Sequence, residues 1–322
     1  MSIERGCAEA AIDVTVSEVG TRDGLQNIDT ILPTQAKQAW IAAEAAAGVP
    51  EIEVGSFVPP RLLPQLADTA ELVRFAKTLP GLNVAVLVPN LRGAQAALAE
   101  GAHHISMPLS VSETHSLANV RKSHAQMFDE IAAVVAAVAA QPAALRPTLE
   151  VSLSTAFGCT LEGPVSEDRV VALAERAIAL GADEVCLSDT TGYGNPSQVR
   201  RLTTRIWAAV GRERLSSVHL HNTRGQGLAN VLAALDVGIT TIDSSLGGLG
   251  GCPFAPGASG NIVTEDLVFL LEAMGLRTGI DIDRLLAARA QVQAALPDEA
   301  LYGFVADSGL PKGFAYASAA AA

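Results

Sequence analysis

His219 and His221 stand two residues apart in the stretch HLHN. On a β-strand, side chains at i and i+2 leave the same face, so two imidazoles there can share one divalent cation. Arg22-Asp23 follows another apolar run, in VSEVGTRDG. Two ring nitrogens and one carboxylate, with positions left open, suit a catalytic metal. The competing reading is a pair of buried, hydrogen-bonded histidines and a salt bridge between Arg22 and Asp23. Other polar residues also sit at the ends of apolar runs: Glu53 in EIEVGSF, Asp189 in SDTTGYG and Cys252 in GGLGGCPF. Glu53 suits acid–base work or an ion pair with an arginine. Asp189, before Thr-Thr-Gly, also suits a turn cap. A cysteine among glycines is exposed enough to exchange protons, although a free cysteine commonly acts as a small hydrophobe. His103, His104, His115 and His124 read as structural or solvent-exposed.

These residues need a scaffold that gathers them. Short apolar runs alternate along the chain with alanine-rich amphipathic stretches. Eight of the runs predict strands, at 14–19, 51–55, 83–88, 103–107, 148–154, 184–187, 217–221 and 240–243. Most are rich in Val or Ile and are bounded by Gly, Pro or Asn. Helices are predicted over 35–47, 167–180, 198–210 and 226–237, each stopped by a glycine (Gly48, Gly181, Gly211, Gly238) just before the next strand.

Eight βα units make either a closed barrel or an open doubly wound sheet. No GxGxxG follows the first strand and no GxxxxGK[ST] occurs anywhere, so no nucleotide cofactor is expected. The count favours an α/β fold of the (β/α)8 TIM barrel type with a short C-terminal helical extension. Residues 1–322 then form a single catalytic domain, with the barrel over about 14–282 and a helix and tail over 283–322. In such a barrel the chemistry sits at the carboxyl ends of the strands, which is where the residues above fall.

Composition narrows the partners. Among 322 residues, 22 Lys and Arg face 34 Asp and Glu, giving a net charge of −12. That field offers nothing to a phosphate backbone, so nucleic acid is excluded as an expected partner. No apolar run approaches the roughly 18–20 residues that a membrane helix needs. The N-terminal stretch lacks the pattern of a secretory signal. The four scattered cysteines show neither a CxxC spacing nor a disulfide framework. The expectation is a cytoplasmic protein with reduced thiols.

In their order along the chain, VSEVGTRDGLQN, EIEVGSF, SDTTGYG, HLHNTRGQGLAN and GGLGGCPFAPGASGN resemble the 3-hydroxy-3-methylglutaryl-CoA lyase family over about 14–282. The wider group is the metal-dependent barrel enzymes that make or break carbon–carbon bonds, the isopropylmalate and homocitrate synthases included. The resemblance implies a divalent Mg or Mn ion with Asp23, His219, His221 and Asn261 as ligands. It implies that Arg22 steadies an enolate, that Glu53 and Asp189 are supporting acids, and that Cys252 on a mobile loop moves a proton. Arg22 and Gln26 would contact the substrate, an acyl-CoA thioester. Asp23 or His219 would serve as the base.

The implied reaction is retro-Claisen cleavage between C2 and C3, most simply of 3-hydroxy-3-methylglutaryl-CoA to acetyl-CoA and acetoacetate. The alternatives are a lyase on a longer-branched glutaryl-CoA or citramalyl-CoA, or a synthase running in the condensing direction. The short stretch after the barrel favours a lyase, and a homodimer is the default assembly. Two positions depart from the family pattern. Asn222 and Arg224 stand where many members carry Asp and Tyr, and SVSETH at 110–115 is closer to the synthases. Arg224 is therefore expected at the site mouth, binding a CoA phosphate or an extra substrate carboxylate.

Overall fold

Polar and apolar residues alternate along the strands, and that alternation shapes the molecule. The computed structural model describes residues 12–250 and 260–317. It contains β1 (Thr15–Glu18), β2 (Glu51–Ser56), β3 (Asn83–Leu87), β4 (His104–Pro108), β5 (Thr148–Leu153), β6 (Glu184–Ser188), β7 (Ser217–His219) and β8 (Thr241–Ser244). All neighbours are parallel, and β8 pairs with β1 to close the barrel. The eight strands fall at the eight predicted places, so the expected TIM barrel is the observed one.

The helices are α1 (Thr34–Ala46), α2 (Thr69–Ala76), α3 (Leu91–Glu100), α4 (Glu113–Asn119), α5 (His124–Ala139), α6 (Glu167–Ala179), α7 (Pro196–Val210), α8 (Gly227–Val237), α9 (Thr264–Ala273), α10 (Ile282–Ala295) and α11 (Val305–Ser308). The outward residues Val16, Ile52, Val84, Ile105, Val151, Val185, Val218 and Ile242 are completely buried under these helices. Each such side chain contributes about 1.5–3 kcal/mol by leaving water. The hydrophobic core is thus a shell between strands and helices.

The inward residues are different. Ser17, Glu53, Ser106, Glu150, Ser188, His219 and Asp243 line a cavity of about 550 Å³ that runs from the strand starts to the strand ends. Barrels of this type commonly fill that space with layers of branched apolar side chains. Here the space is polar, so it is a bore in which water or a ligand can be solvated.

The αβ joints follow the predicted glycines. Gly48, Gly181, Gly211 and Gly238 have φ of 96°, 105°, 99° and 106°, a region that favours glycine. At Gly48 the chain also approaches so closely that a Cβ would lie 2.2 Å from the Gly279 carbonyl oxygen. After the barrel, α10 packs on α1, and the Tyr316 hydroxyl accepts a hydrogen bond from the Ile282 N–H at 3.0 Å. Among the described residues, no helix is long and apolar enough to cross a membrane.

Candidate active site

The chain leaves β1 through a single π-turn, Gly20–Gly24, which carries Arg22 and Asp23. Such turns widen the backbone locally and often mark functional sites. Glu18 anchors this one. Its Oε1 accepts from the Gly20 N–H at 2.8 Å and the Leu246 N–H at 2.9 Å, and its Oε2 accepts from the Thr264 hydroxyl. Only glycine fits at position 20, because a Cβ would meet Glu18 Oε1 at 2.6 Å. Glu18 therefore ties the turn to the segment after β8.

At the same end of the barrel, His219 closes β7 and His221 lies two residues further on. Their Nε2 atoms are 3.0 Å apart, and Asp23 Oδ2 is 4.0 Å from His219 Nε2 and 3.8 Å from His221 Nε2. Adjacent ligands of an octahedral ion with bonds of about 2.1 Å lie about 3.0 Å apart. The two nitrogens have that spacing, and the carboxylate oxygen, at 3.8 and 4.0 Å, stands almost 1 Å wider. Both imidazoles and the carboxylate are buried. Two neutral nitrogens and one anionic oxygen on a polar cavity fit a divalent cation, and the three atoms form a group able to hold one.

The charges agree with that use. Burial alone would raise the pKa of Asp23, but the Arg22 guanidinium and the Asn261 amide outweigh it and hold the carboxyl well below its ordinary range. Burial lowers His219, and burial together with His219 lowers His221 to about 3, so both rings are neutral and free to ligate. Burial works against the Arg22 charge, yet Glu53 and Asp23 keep it firmly protonated. Arg22 reaches Glu53 through Nε and Asp23 through Nη1, a fork that pins it across the site mouth. Burial raises the Glu53 carboxyl, and its second oxygen, Oε1, has no partner among the described residues.

The structure brings several other expected residues to this point. Gln26 Nε2 donates to Asp23 Oδ1 at 2.6 Å, and Asn261 Nδ2 donates to Asp23 Oδ2 at 2.8 Å. Asn261 thus meets the triad through its amide NH2, with its oxygen turned away from Asp23. Asp189 does not line the cavity. Its carboxylate accepts from the Tyr193 and Gly194 N–H groups at 2.9 and 3.0 Å and so caps the loop after β6, and burial raises it to about 6. Cys252 lies outside the described residues. Of the four histidines read as structural, His104 faces the bore, where its Nδ1 lies 3.3 Å from Glu51 Oε2.

Arg224 is also away from the cavity. Its Nη1 donates to the Thr191 and Gly192 carbonyls at 2.9 and 3.1 Å, and its guanidinium lies 4.5 Å from the centre of the Tyr193 ring. It clasps the loop after β6 to the loop after β7. Arg224→Ala should lower stability by about 1–2 kcal/mol, the scale of one charged hydrogen-bond pair plus a cation–π contact. A thermal melt checks this. A melting point equal to wild type, with KM for a CoA substrate raised tenfold, would instead assign Arg224 to anion binding.

Two residues of the site carry no flag in the sequence. Glu18 holds the π-turn, and Asp243 Oδ2 lies 3.0 Å from His219 Nδ1, within hydrogen-bond distance. Asp243 could have been suspected only from strand alternation, which places it inward with Thr241.

Comparison with known proteins agrees with this geometry. The family profile described as HMGL-like matches residues 13–292. The mitochondrial hydroxymethylglutaryl-CoA lyase of Mus musculus is 41% identical over 275 residues, 85% of this chain and 83% of the relative. The (R)-citramalyl-CoA lyase of Chloroflexus aurantiacus is 41% identical over 302 residues, 90% of this chain and 94% of the relative. Among solved structures, an HMG-CoA lyase from Acinetobacter baumannii in complex with coenzyme A and 3-methylmalate superposes with a TM-score of 0.86 at 40% identity, covering 94% of this chain and 97% of that one. A closed parallel barrel with an Asp-His-His group at its carboxyl end, matched over most of its length by such relatives, belongs to the HMGL-like family.

Proposed function

We propose that this protein is a carbon–carbon lyase that cleaves a 3-hydroxyacyl-CoA between C2 and C3, with 3-hydroxy-3-methylglutaryl-CoA as substrate and acetyl-CoA and acetoacetate as products. The observation that carries the reading is the convergence of Asp23, His219 and His221 beside the Arg22 fork at the mouth of a polar bore. Asp23, His219 and His221, with Asn261 beside them, would hold a Mg or Mn ion, which would supply a Lewis acid to orient the substrate hydroxyl and lower its pKa.

The chain's own groups do the rest. Asp23, held ionised, is the group available to take the hydroxyl proton, because His219 turns Nε2 to the cation position and Nδ1 to Asp243 and has no nitrogen left for it. As the C2–C3 bond breaks, negative charge moves onto the thioester oxygen. Arg22, fixed by two carboxylates, offers its remaining N–H groups to that charge. Cys252 is assigned the return of a proton to C2. The hydroxyl proton lost and the carbon proton gained balance, so no redox cofactor is required.

A second substrate has specific support, because the (R)-citramalyl-CoA lyase is as similar as the mouse enzyme. The wall formed by Ser106, Ser152, Ser188 and Thr190 offers hydroxyls to an acyl carboxylate in either case. The test is a panel of hydroxyacyl-CoA thioesters assayed for released acetyl-CoA, with the ketone product identified. Acetoacetate from the hydroxymethylglutaryl thioester is expected, while pyruvate from citramalyl-CoA at higher kcat/KM would move the assignment. No cleavage of any thioester after Mg or Mn loading would reject the lyase reading. Chelation should abolish turnover, and re-addition of each metal shows which one the site prefers.

A further inference from the structure

We propose that Asp243 is a positioning residue that fixes the tautomer of His219 and thereby prepares the metal-binding face. The inference deepens the lyase reading and rests on its assignment of a cation to Asp23, His219 and His221. Asp243 lies directly beside His219 in the register of β7 and β8, so two adjacent backbones set the contact. Its Oδ2 is 3.0 Å from His219 Nδ1. Burial and the nearby Glu51 push the Asp243 carboxyl up to about 7; in its ionised form it only accepts, which places the ring proton on Nδ1. Nε2 is then bare, and it is the atom that faces His221 and Asp23. Ligating histidines commonly hand their other N–H to a carboxylate in this way.

The two imidazoles are not equivalent. Among the described residues His221 Nδ1 is buried with no partner, so none of them dictates its tautomer from that side. With His219 Nε2 bare and 3.0 Å from His221 Nε2, the shared proton of the metal-free protein belongs to His221 Nε2. Asp243 therefore sets His219 directly and His221 through it. The cation then has one ligand already in the right form, and it needs the proton displaced from only one ring.

The test uses the metal-free full-length protein with 15N-labelled histidine. Long-range proton–nitrogen spectra should show His219 protonated on Nδ1 and His221 on Nε2. In Asp243→Ala this opposite pair should be lost. The Mn²⁺ dissociation constant, titrated on the metal-free protein, should rise about 10- to 100-fold. Asp243→Asn, which keeps one acceptor oxygen and the shape, should recover part of that affinity. A merely structural carboxylate would alter the melting point without reassigning the ring protons. Wild-type His219 protonated on Nε2, or Asp243→Ala binding Mn²⁺ as tightly as wild type, overturns the proposal. Wild-type protein that keeps the opposite tautomers yet binds no Mn²⁺ overturns the metal reading itself, and with it the purpose assigned to Asp243. If Asp243→Ala does not fold, the wild-type tautomers and the asparagine variant still decide the question.

Discussion

His221→Ala should abolish tight metal binding and lower kcat/KM by about a thousandfold or more, equivalent to about 4 kcal/mol of transition-state stabilisation. The imidazole is one of three groups that converge on the cation position, and two remaining ligands cannot close an ordered site. The variant is informative because, among the described residues, His221 does little else: its Nδ1 has no partner and its Nε2 meets His219 and Asp23. Removing it leaves the barrel shell intact. Calorimetric titration with Mg and Mn should show the affinity loss, and circular dichroism should show a native fold. If His221→Ala binds metal and turns over as wild type does, the pair is a structural hydrogen bond and the proposed chemistry is wrong.

Arg22→Gln should lower kcat by about a hundred- to a thousandfold, the cost of losing one oxyanion donor, with KM changing far less. The charge that Arg22 meets exists fully only as the enolate forms. The same substitution strands Asp23 and Glu53 as buried carboxylates, which costs about 3–5 kcal/mol when one partner of a buried pair is removed. Lost activity alone is therefore ambiguous. The double variant Arg22→Gln, Glu53→Gln removes one stranded charge and should recover much of the stability. Its kcat should stay low. If the double variant recovers activity along with its melting point, Arg22 serves the fold and not the reaction.

The barrel was readable because its strands are short apolar runs at regular intervals and its helices end in glycine. Both signals are local. The metal triad was partly readable for a similar reason, since the spacing of His219 and His221 tells which face they share whatever the rest of the chain does. What the sequence hid depends on contacts across the fold. Asp243 gains its meaning from lying beside His219 in register, a relation between residues 24 apart. Arg224 follows the histidine pair by three positions, yet the loop turns it toward carbonyls after β6 and away from the bore. Asp189, one residue beyond a strand, spends its carboxylate on its own loop. The polar lining was present as alternation, but the apolar half of each strand dominates a reading based on hydrophobic runs.

The separation of shell from bore also bears on how such a chain can change over generations. Replacing Ile105 with alanine opens a void in the shell and costs about 2–5 kcal/mol. Ser106, Ser152 and Ser188 point instead into the cavity, where Ser152 and Ser188 hydrogen-bond to each other at 2.6 Å. Substitutions among them reshape the room around an acyl chain at the cost of one side-chain hydrogen bond, about 0.5–1.5 kcal/mol. Away from the inward residues of the site, Glu53, His219 and Asp243, tolerance to mutation is therefore unevenly distributed within a single strand. A lineage can drift from one acyl group to another along the inner positions without crossing an unfolded intermediate, while the outer positions stay bound to their volume.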